Sequence, residues 1–249
     1  MHKRILCFCL AFLAIHPVLR AQFKKGMRMV GASVGTGTYN IGNSDVTYPS
    51  VTGFSSKENS YLLSFSPMMG WFISDNTVIG GSLLLNPNGS KSRYMSTGST
   101  FQQDKVNTFN VGLGGFARNY FKSSGSMMPF GQGNLNLGVS SKNSSGFFYG
   151  GSGSSVYKTT YEGKSSSGFF ANVTLSLGIT KELNPNTGFD LFVSYTYSYS
   201  KNTMKTTTLR DDGNNGSVDL TSVNEPTTKF TNHGFSIGVA YQIFLDAKK

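Results

Sequence analysis

The chain has 249 residues, of which 22 are Lys or Arg and 12 are Asp or Glu, giving a formal charge of +10. It is rich in Gly (30), Phe (20) and Tyr (12), whereas charged residues make up only 14%. The basic residues are scattered through Gly- and Ser-rich segments, which argues against a nucleic-acid-binding surface, where they would cluster on one element.

The first 21 residues are predicted to be a secretory signal peptide. A charged start at residues 2–4 is followed by an almost wholly apolar run over residues 5–15, and Ala21 is a small residue suited to cleavage. The apolar run is shorter than the roughly 20 residues that cross a bilayer, which disfavours an uncleaved anchor. We therefore expect residues 1–21 to be removed and residues 22–249 to form one domain.

Both cysteines, Cys7 and Cys9, lie in this signal, so the mature chain is expected to contain neither a thiol nor a disulfide. Thiolate catalysis and cysteine metal sites are thereby excluded. The signal also contains three of the 22 basic residues, so the mature chain keeps 19 against 12 acidic residues, a charge of +7. No cofactor, metal site or nucleic-acid partner is predicted.

Alternation of apolar and polar residues with a period of two dominates the chain after residue 26, and no later window shows a helical stripe or the long apolar run of a membrane helix. Eight strands are predicted near residues 27–39, 61–73, 77–86, 107–121, 128–139, 169–180, 189–199 and 235–243.

The non-apolar face of these strands consists mainly of Ser, Thr, Asn and Gly. A soluble sandwich would carry Lys and Glu on its outer face, whereas a barrel in lipid turns its apolar face outward and encloses small or uncharged polar residues. We therefore expect Leu175, Val193 and Ile237 to point outward. Thr174, Ser194 and Ser236 are expected to point inward.

The connections between strands alternate in length. Residues 74–76, 122–126 and 184–186 are short turns, whereas residues 42–60, 87–106, 140–166 and 200–228 are long and rich in Gly, Ser, Asn and Thr. Ten residues at about 3.3 Å rise and about 45° tilt span roughly 23 Å, close to the apolar band of such barrels. The sequence thus predicts an all-β fold, an eight-stranded antiparallel up-and-down transmembrane β-barrel with short periplasmic turns and long extracellular loops.

Outward aromatic residues are predicted to form two girdles at the membrane interfaces, where an amphipathic ring sits among headgroups. At the short-turn ends these are Trp71, Phe121 and Phe189, and at the long-loop ends Tyr61, Phe109, Phe169, Tyr197, Tyr199 and Phe235.

The pattern of strands resembles the small outer-membrane barrel superfamily, the group of outer membrane proteins A, X and W. Residues 236–244 are similar to the C-terminal signal that the barrel-assembly machinery reads, with Gly238, Tyr241 and Phe244 as its glycine and aromatics. The sequence departs from that signal by continuing to Lys249. The resemblance implies localisation in the outer membrane of a Gram-negative cell.

One histidine, His233, remains after the signal, and Ser236 lies near it. Some small barrels of the superfamily that the chain resembles are lipid A deacylases, in which a histidine and a serine lie two residues apart on the lipid face. Here the spacing is three, which puts the two side chains on opposite faces of a strand. The sequence therefore predicts no enzyme.

Asp190 and Arg118 are predicted to point into the barrel near its short-turn end. Because a charge inside a narrow barrel is costly unless it is paired, we predict an ion pair within a polar network that includes Gln132 and Asn134. Two separately hydrated charges at the periplasmic mouth are the alternative.

The interior of an eight-stranded barrel is just wide enough for side chains to fill, and Phe116, Phe130, Phe170 and Phe192 are predicted to point into it. The long loops hold more Lys and Arg than Asp and Glu, which favours contact with anionic lipopolysaccharide headgroups. The sequence indicates a non-enzymatic integral outer-membrane protein with an envelope-structural or surface-interaction role. A lipid A-modifying enzyme, a narrow passive channel and a secreted lipocalin-like carrier are the alternatives.

Overall fold

The computed structural model describes the backbone of residues 23–48, 51–96, 99–121, 126–151 and 156–246, and the side chains of these residues except 36–48 and 51–54. The predicted signal peptide lies outside this part of the chain. Nine strands are described: β1 (Arg28–Tyr48), β2 (Val51–Phe72), β3 (Thr77–Ser96), β4 (Ser99–Tyr120), β5 (Met127–Gly150), β6 (Tyr157–Asn184), β7 (Thr187–Asp212), β8 (Leu220–Asn224) and β9 (Thr227–Leu245).

Eight of these strands close into a ring. Strands β1 to β7 pair with their chain neighbours in antiparallel order, and β9 pairs with both β7 and β1. The short β8 pairs with β7 alone, beyond the last β7–β9 pair, and takes no part in the ring. The prediction of an eight-stranded up-and-down barrel is confirmed. Over the described residues, no helix is long and apolar enough to span a membrane.

The two faces of the wall are as predicted. Leu175, Val193 and Ile237 are 56%, 54% and 61% exposed on the outer face. Ser194 is buried inside, and Thr174 and Ser236 are half-buried. The apolar side chains of the wall therefore face the surroundings, and the hydroxyl groups face the enclosed axis.

The strands are longer than predicted, and this corrects the prediction of long loops. Residues predicted as loops at 42–60, 87–106, 140–166 and 200–228 are largely strand in the described parts of the chain. The strands expected near 27–39, 77–86 and 128–139 extend correspondingly further. Both faces of the hairpins beyond the apolar band are polar, so hydrophobic alternation gives no signal there although backbone pairing continues.

Inward phenylalanine rings lie over inward glycines of neighbouring strands. Gly112 and Gly138 are directly opposite each other on β4 and β5. A Cβ atom added to either glycine would fall 2.6–2.7 Å from the Phe170 ring. Phe116 covers Gly70 and Gly80 in the same way. These glycines leave the space that the rings fill.

Replacing Gly138 with alanine is expected to destabilise the barrel. The new methyl group would lie 2.1 Å from the Val111 carbonyl oxygen, a backbone atom with little freedom to move. Overpacking of this kind typically costs about 1–3 kcal/mol. The measurement is the urea midpoint of the refolded protein in detergent. Gly133→Ala is the matched control on the same strand, because its nearest neighbour would be 3.8 Å away. Equal midpoints for the two variants would contradict the packing argument.

Candidate functional site: a cavity above a plugged end

The barrel interior is apolar at the short-turn end. The N-terminal segment and six strands contribute buried side chains to one cluster, which we call the plug: Phe23, Met27, Met29, Met68, Phe72, Val78, Phe116, Tyr120, Met128, Phe130 and Phe244. Phe116 and Phe130 point inward as predicted, whereas the other plug residues correct the expectation that the rest of the inner face is small or polar. The plug fills the lumen at that end.

Residues 23–27 fold across the short-turn mouth before β1 begins. The Met27 amide donates to the Lys24 carbonyl oxygen at 3.1 Å, which closes a turn, and the Gly26 amide donates to the Phe72 carbonyl oxygen at 2.8 Å. Gly26 has φ of 93°, a conformation that favours glycine. The turn directs Phe23 inward, where its ring centroid lies 4.6 Å from those of Phe72 and Phe244.

Arg118 and Asp190 form an ion pair immediately above the plug. Arg118 Nη1 lies 2.7 Å from Asp190 Oδ2, and the side chains are 2% and 0% exposed. Arg118 Nε also donates to Gln132 Oε1 at 2.6 Å, and Gln132 Nε2 donates to Asn134 Oδ1 at 2.9 Å. The structure thus brings together all four residues of the predicted network. The pair crosses the lumen from β4 to β7.

Three further residues complete this network and were not predicted. Thr180 Oγ1 donates to Asp190 Oδ1 at 2.6 Å, and Gln242 Nε2 donates to Asp190 Oδ2 at 3.0 Å. The Tyr120 hydroxyl accepts a hydrogen bond from Arg118 Nη1 at 3.0 Å. The carboxylate therefore has three donors. Thr180 stands directly opposite Asp190 in the β6–β7 register. The contact between them could therefore have been predicted from the register.

A polar cavity of about 720 Å³ lies between the ion pair and the long hairpins. Arg118, Phe130 and Gln132 form its floor. Its wall is made largely of amide and hydroxyl side chains, among them Asn86, Asn110, Asn134, Asn136, Thr174 and Thr196. The cavity has the size of a ligand pocket, about 300–1,000 Å³.

The wall is unpaired between β1 and β9 over part of its height. The described register of these strands runs from Arg28 and Leu245 to Val34 and Val239, whereas residues 227–238 of β9 pair with β7 only. We call this unpaired stretch the seam. The β1–β2 register shifts between Gly35 and Thr38. An irregularity of this kind bends a strand, and this one lies where the β1–β9 pairing ends.

Three features are typical of a protein embedded in a lipid bilayer: the closed ring of strands, the apolar outer face and the internal ion pair. A strand structure in lipid must satisfy its backbone within the ring and keep its charges inside it. A lipocalin-like carrier would have the opposite sidedness. The chain has the fold of the small outer-membrane β-barrels.

No protein-family model and no curated protein matches the sequence. Among solved structures, the outer membrane protein OprG from Pseudomonas aeruginosa is 15% identical, with a TM-score of 0.36, over 90% of this chain and 99% of that chain. Neisserial surface protein A is 16% identical, with a TM-score of 0.30, over 88% and 96%. The outer membrane protease OmpT from Escherichia coli is 12% identical, with a TM-score of 0.33, over 92% and 99%. Similarity at this level gives no information on the function of this barrel.

The residues predicted to form aromatic girdles lie at both ends of the outer face. Seven are exposed: Trp71 and Phe189 towards the short turns, and Tyr61, Phe109, Phe169, Tyr197 and Phe235 towards the long hairpins. Phe121 and Tyr199 are half-buried. Contact of these rings with headgroups stays a prediction.

The residues of the predicted assembly signal face two sides of β9. Tyr241 is exposed on the outer face, whereas Phe244 is buried in the plug. Gly238 lies under the Phe192 ring, since an added Cβ atom would be 2.4 Å from Phe192 Cζ. Recognition by the barrel-assembly machinery stays a prediction, and Phe244 has a packing role that its sequence position did not indicate.

His233 and Ser236 point to opposite faces of β9. His233 is exposed, with its ring centroid 6.0 Å from that of Tyr195 on the outer face. Ser236 is half-buried and stands opposite the inward Ser194. Among the described residues, no group of three or more His, Cys, Asp or Glu side chains is placed to hold a metal ion.

Proposed function

We propose that this outer-membrane barrel is a non-enzymatic, non-conducting protein with an envelope-structural or surface-interaction role. The proposal rests on a single observation, that the lumen is filled at its short-turn end. The cavity extends towards the long hairpins, whereas eleven buried side chains fill the short-turn end. A solute that enters the cavity from outside reaches the Arg118–Asp190 pair and the plug beneath it.

The height of the hairpins supports a role at the cell surface. Strand β6 has 28 residues, which at about 3.3 Å rise and about 45° tilt amount to roughly 65 Å, against an apolar band of about 25 Å. A large part of β6 and of its partner β7 therefore extends beyond the bilayer. Basic side chains on the hairpins, such as Lys105 and Lys201, are exposed there and suit contact with anionic lipopolysaccharide headgroups.

In planar bilayers the wild-type barrel is expected to give no stepwise conductance. Insertion is checked by the shift in mobility of the folded protein on SDS gels before and after boiling. Uniform ion-conducting steps that scale with the amount of inserted protein would overturn the non-conducting part of the proposal and favour the narrow passive channel.

The lipid A of cells is expected to be the same with and without this protein, because His233 and Ser236 lie on opposite faces of the wall. Mass spectrometry of extracted lipid A makes the comparison. A change in its acylation that depends on the protein would show an enzyme and overturn the non-enzymatic part.

A further inference from the structure

The cavity extends into the seam as well as towards the hairpins. Ser33 and Gly35 line it on the β1 side, and Gly234 and Ser236 line it on the β9 side. A Cβ atom added to Gly234 would meet nothing within 4 Å. Phe235, on the outer face of β9, is 85% exposed and also borders the cavity. Phe235 adjoins the seam, where β9 has no described pairing with β1.

With the long hairpins outside the cell, as predicted, the seam is expected to lie at the level of the outer leaflet. It begins just above the Val34–Val239 pair, which belongs to the apolar outer band, and passes Phe235 in the predicted upper girdle. An unpaired strand edge at this depth leaves backbone amides and carbonyls without partners, which hydrocarbon alone cannot satisfy. A polar group is therefore expected to stand in the seam.

The charge of the cavity indicates which polar ligand groups it can bind. Among the described residues that line it, none is Asp or Glu, and the basic side chains are Arg118, Lys142 and His233. Asp190 compensates the charge of Arg118. Lys142 belongs to neither ion pair of the described residues, and no described Asp or Glu lines the cavity with it. Asparagine and hydroxyl side chains around it offer both donors and acceptors to a hydroxylated ligand.

We propose that the cavity binds, through the seam, the phosphorylated saccharide headgroup of an outer-leaflet glycolipid. The sugar hydroxyls contact the asparagine, serine and threonine side chains, and the phosphate lies near Lys142. The acyl chains stay outside along the exposed Val34, Phe235 and Ile237. This inference deepens the proposed surface role, whereas the conductance test is independent of it.

Native mass spectrometry of the barrel in detergent tests this binding with lipid A, a phosphorylated diglucosamine lipid, as the probe. Lipid A is expected to stay bound in preference to phosphatidylglycerol, which is anionic but lacks sugars. Lys142→Met is expected to weaken retention about tenfold, the scale of one hydrogen bond to a charged group. Lys181→Met is the matched control, because Lys181 is exposed at the short-turn end of β6 and does not line the cavity.

A second variant blocks the opening without removing a charge. Gly234→Trp places a large side chain where the structure has open space and is expected to abolish retention of lipid A. Gly133→Trp, on the outer face away from the seam, is expected to leave retention unchanged. Equal retention of phosphatidylglycerol and lipid A that no variant alters would show only surrounding lipid and overturn the proposal. Equally strong competition by soluble glucosamine 1-phosphate would identify a free phosphorylated sugar as the ligand and overturn the lipid assignment.

Discussion

Replacing Asp190 with alanine is expected to lower the free energy of unfolding by about 3–5 kcal/mol, the usual cost of removing one partner from a buried ion pair. Arg118 would keep its charge at 2% exposure, and Thr180 and Gln242 would lose their acceptor. Urea unfolding in detergent measures the change. Its reporter is the fluorescence of Trp71, since the chain has a single tryptophan.

Two comparisons make this prediction specific. Asp212→Ala removes the partner of Arg210 in an exposed pair and is expected to change the free energy of unfolding by less than about 1 kcal/mol. Combining Asp190→Ala with Arg118→Met removes both charges and is expected to recover part of the loss. If Asp190→Ala unfolds at the wild-type urea midpoint, the pair does not stabilise the barrel.

Replacing Phe72 with alanine is expected to lower the free energy of unfolding by about 3–5 kcal/mol, as for other buried phenylalanines. Phe72 is 2% exposed and packs against Phe23 and Phe244, so the truncation leaves a cavity in the plug. The urea midpoint again measures the effect.

Phe109→Ala is the matched control for the plug. Phe109 is 47% exposed on the outer face, so its loss leaves no internal cavity and is expected to cost much less. An equal loss in both variants would mean that the plug is not a packed core. The contacts of Phe23 can be tested separately with Phe23→Ala, which removes the ring that residues 23–27 place across the mouth.

The sequence alone predicts which side chains of the wall face outward and which face inward. Val193 and Ser194 alternate with the period of a strand, and the polar face has few charges. The same alternation placed Arg118 and Asp190 inside near one end. The partners Thr180, Gln242 and Tyr120 needed the pairing register across strands, which alternation within one strand does not provide.

The plug and the hairpins could not be predicted for two physical reasons. Residues 23–27 form a single turn with no periodic pattern, so nothing in the sequence shows that Phe23 folds back onto Phe72. Inward methionines such as Met29 and Met68 follow the alternation of their strands, but apart from four phenylalanines the inner face was expected to be small or polar. Above the apolar band, Ser, Thr and Asn occupy both faces, so paired strand and loop have the same composition.

The contact between the Phe23 and Phe244 rings affects how the barrel folds. These residues lie near opposite ends of the chain, as do β1 and β9. Contacts between such distant segments are slow to form because the intervening chain must be ordered first. Until β9 pairs with both of them, the edges of β1 and β7 stay open to other chains, which is a risk of aggregation. A chain truncated before β9 is therefore unable to close the ring of strands, and it lacks the Phe244 ring that packs against Phe23 in the plug.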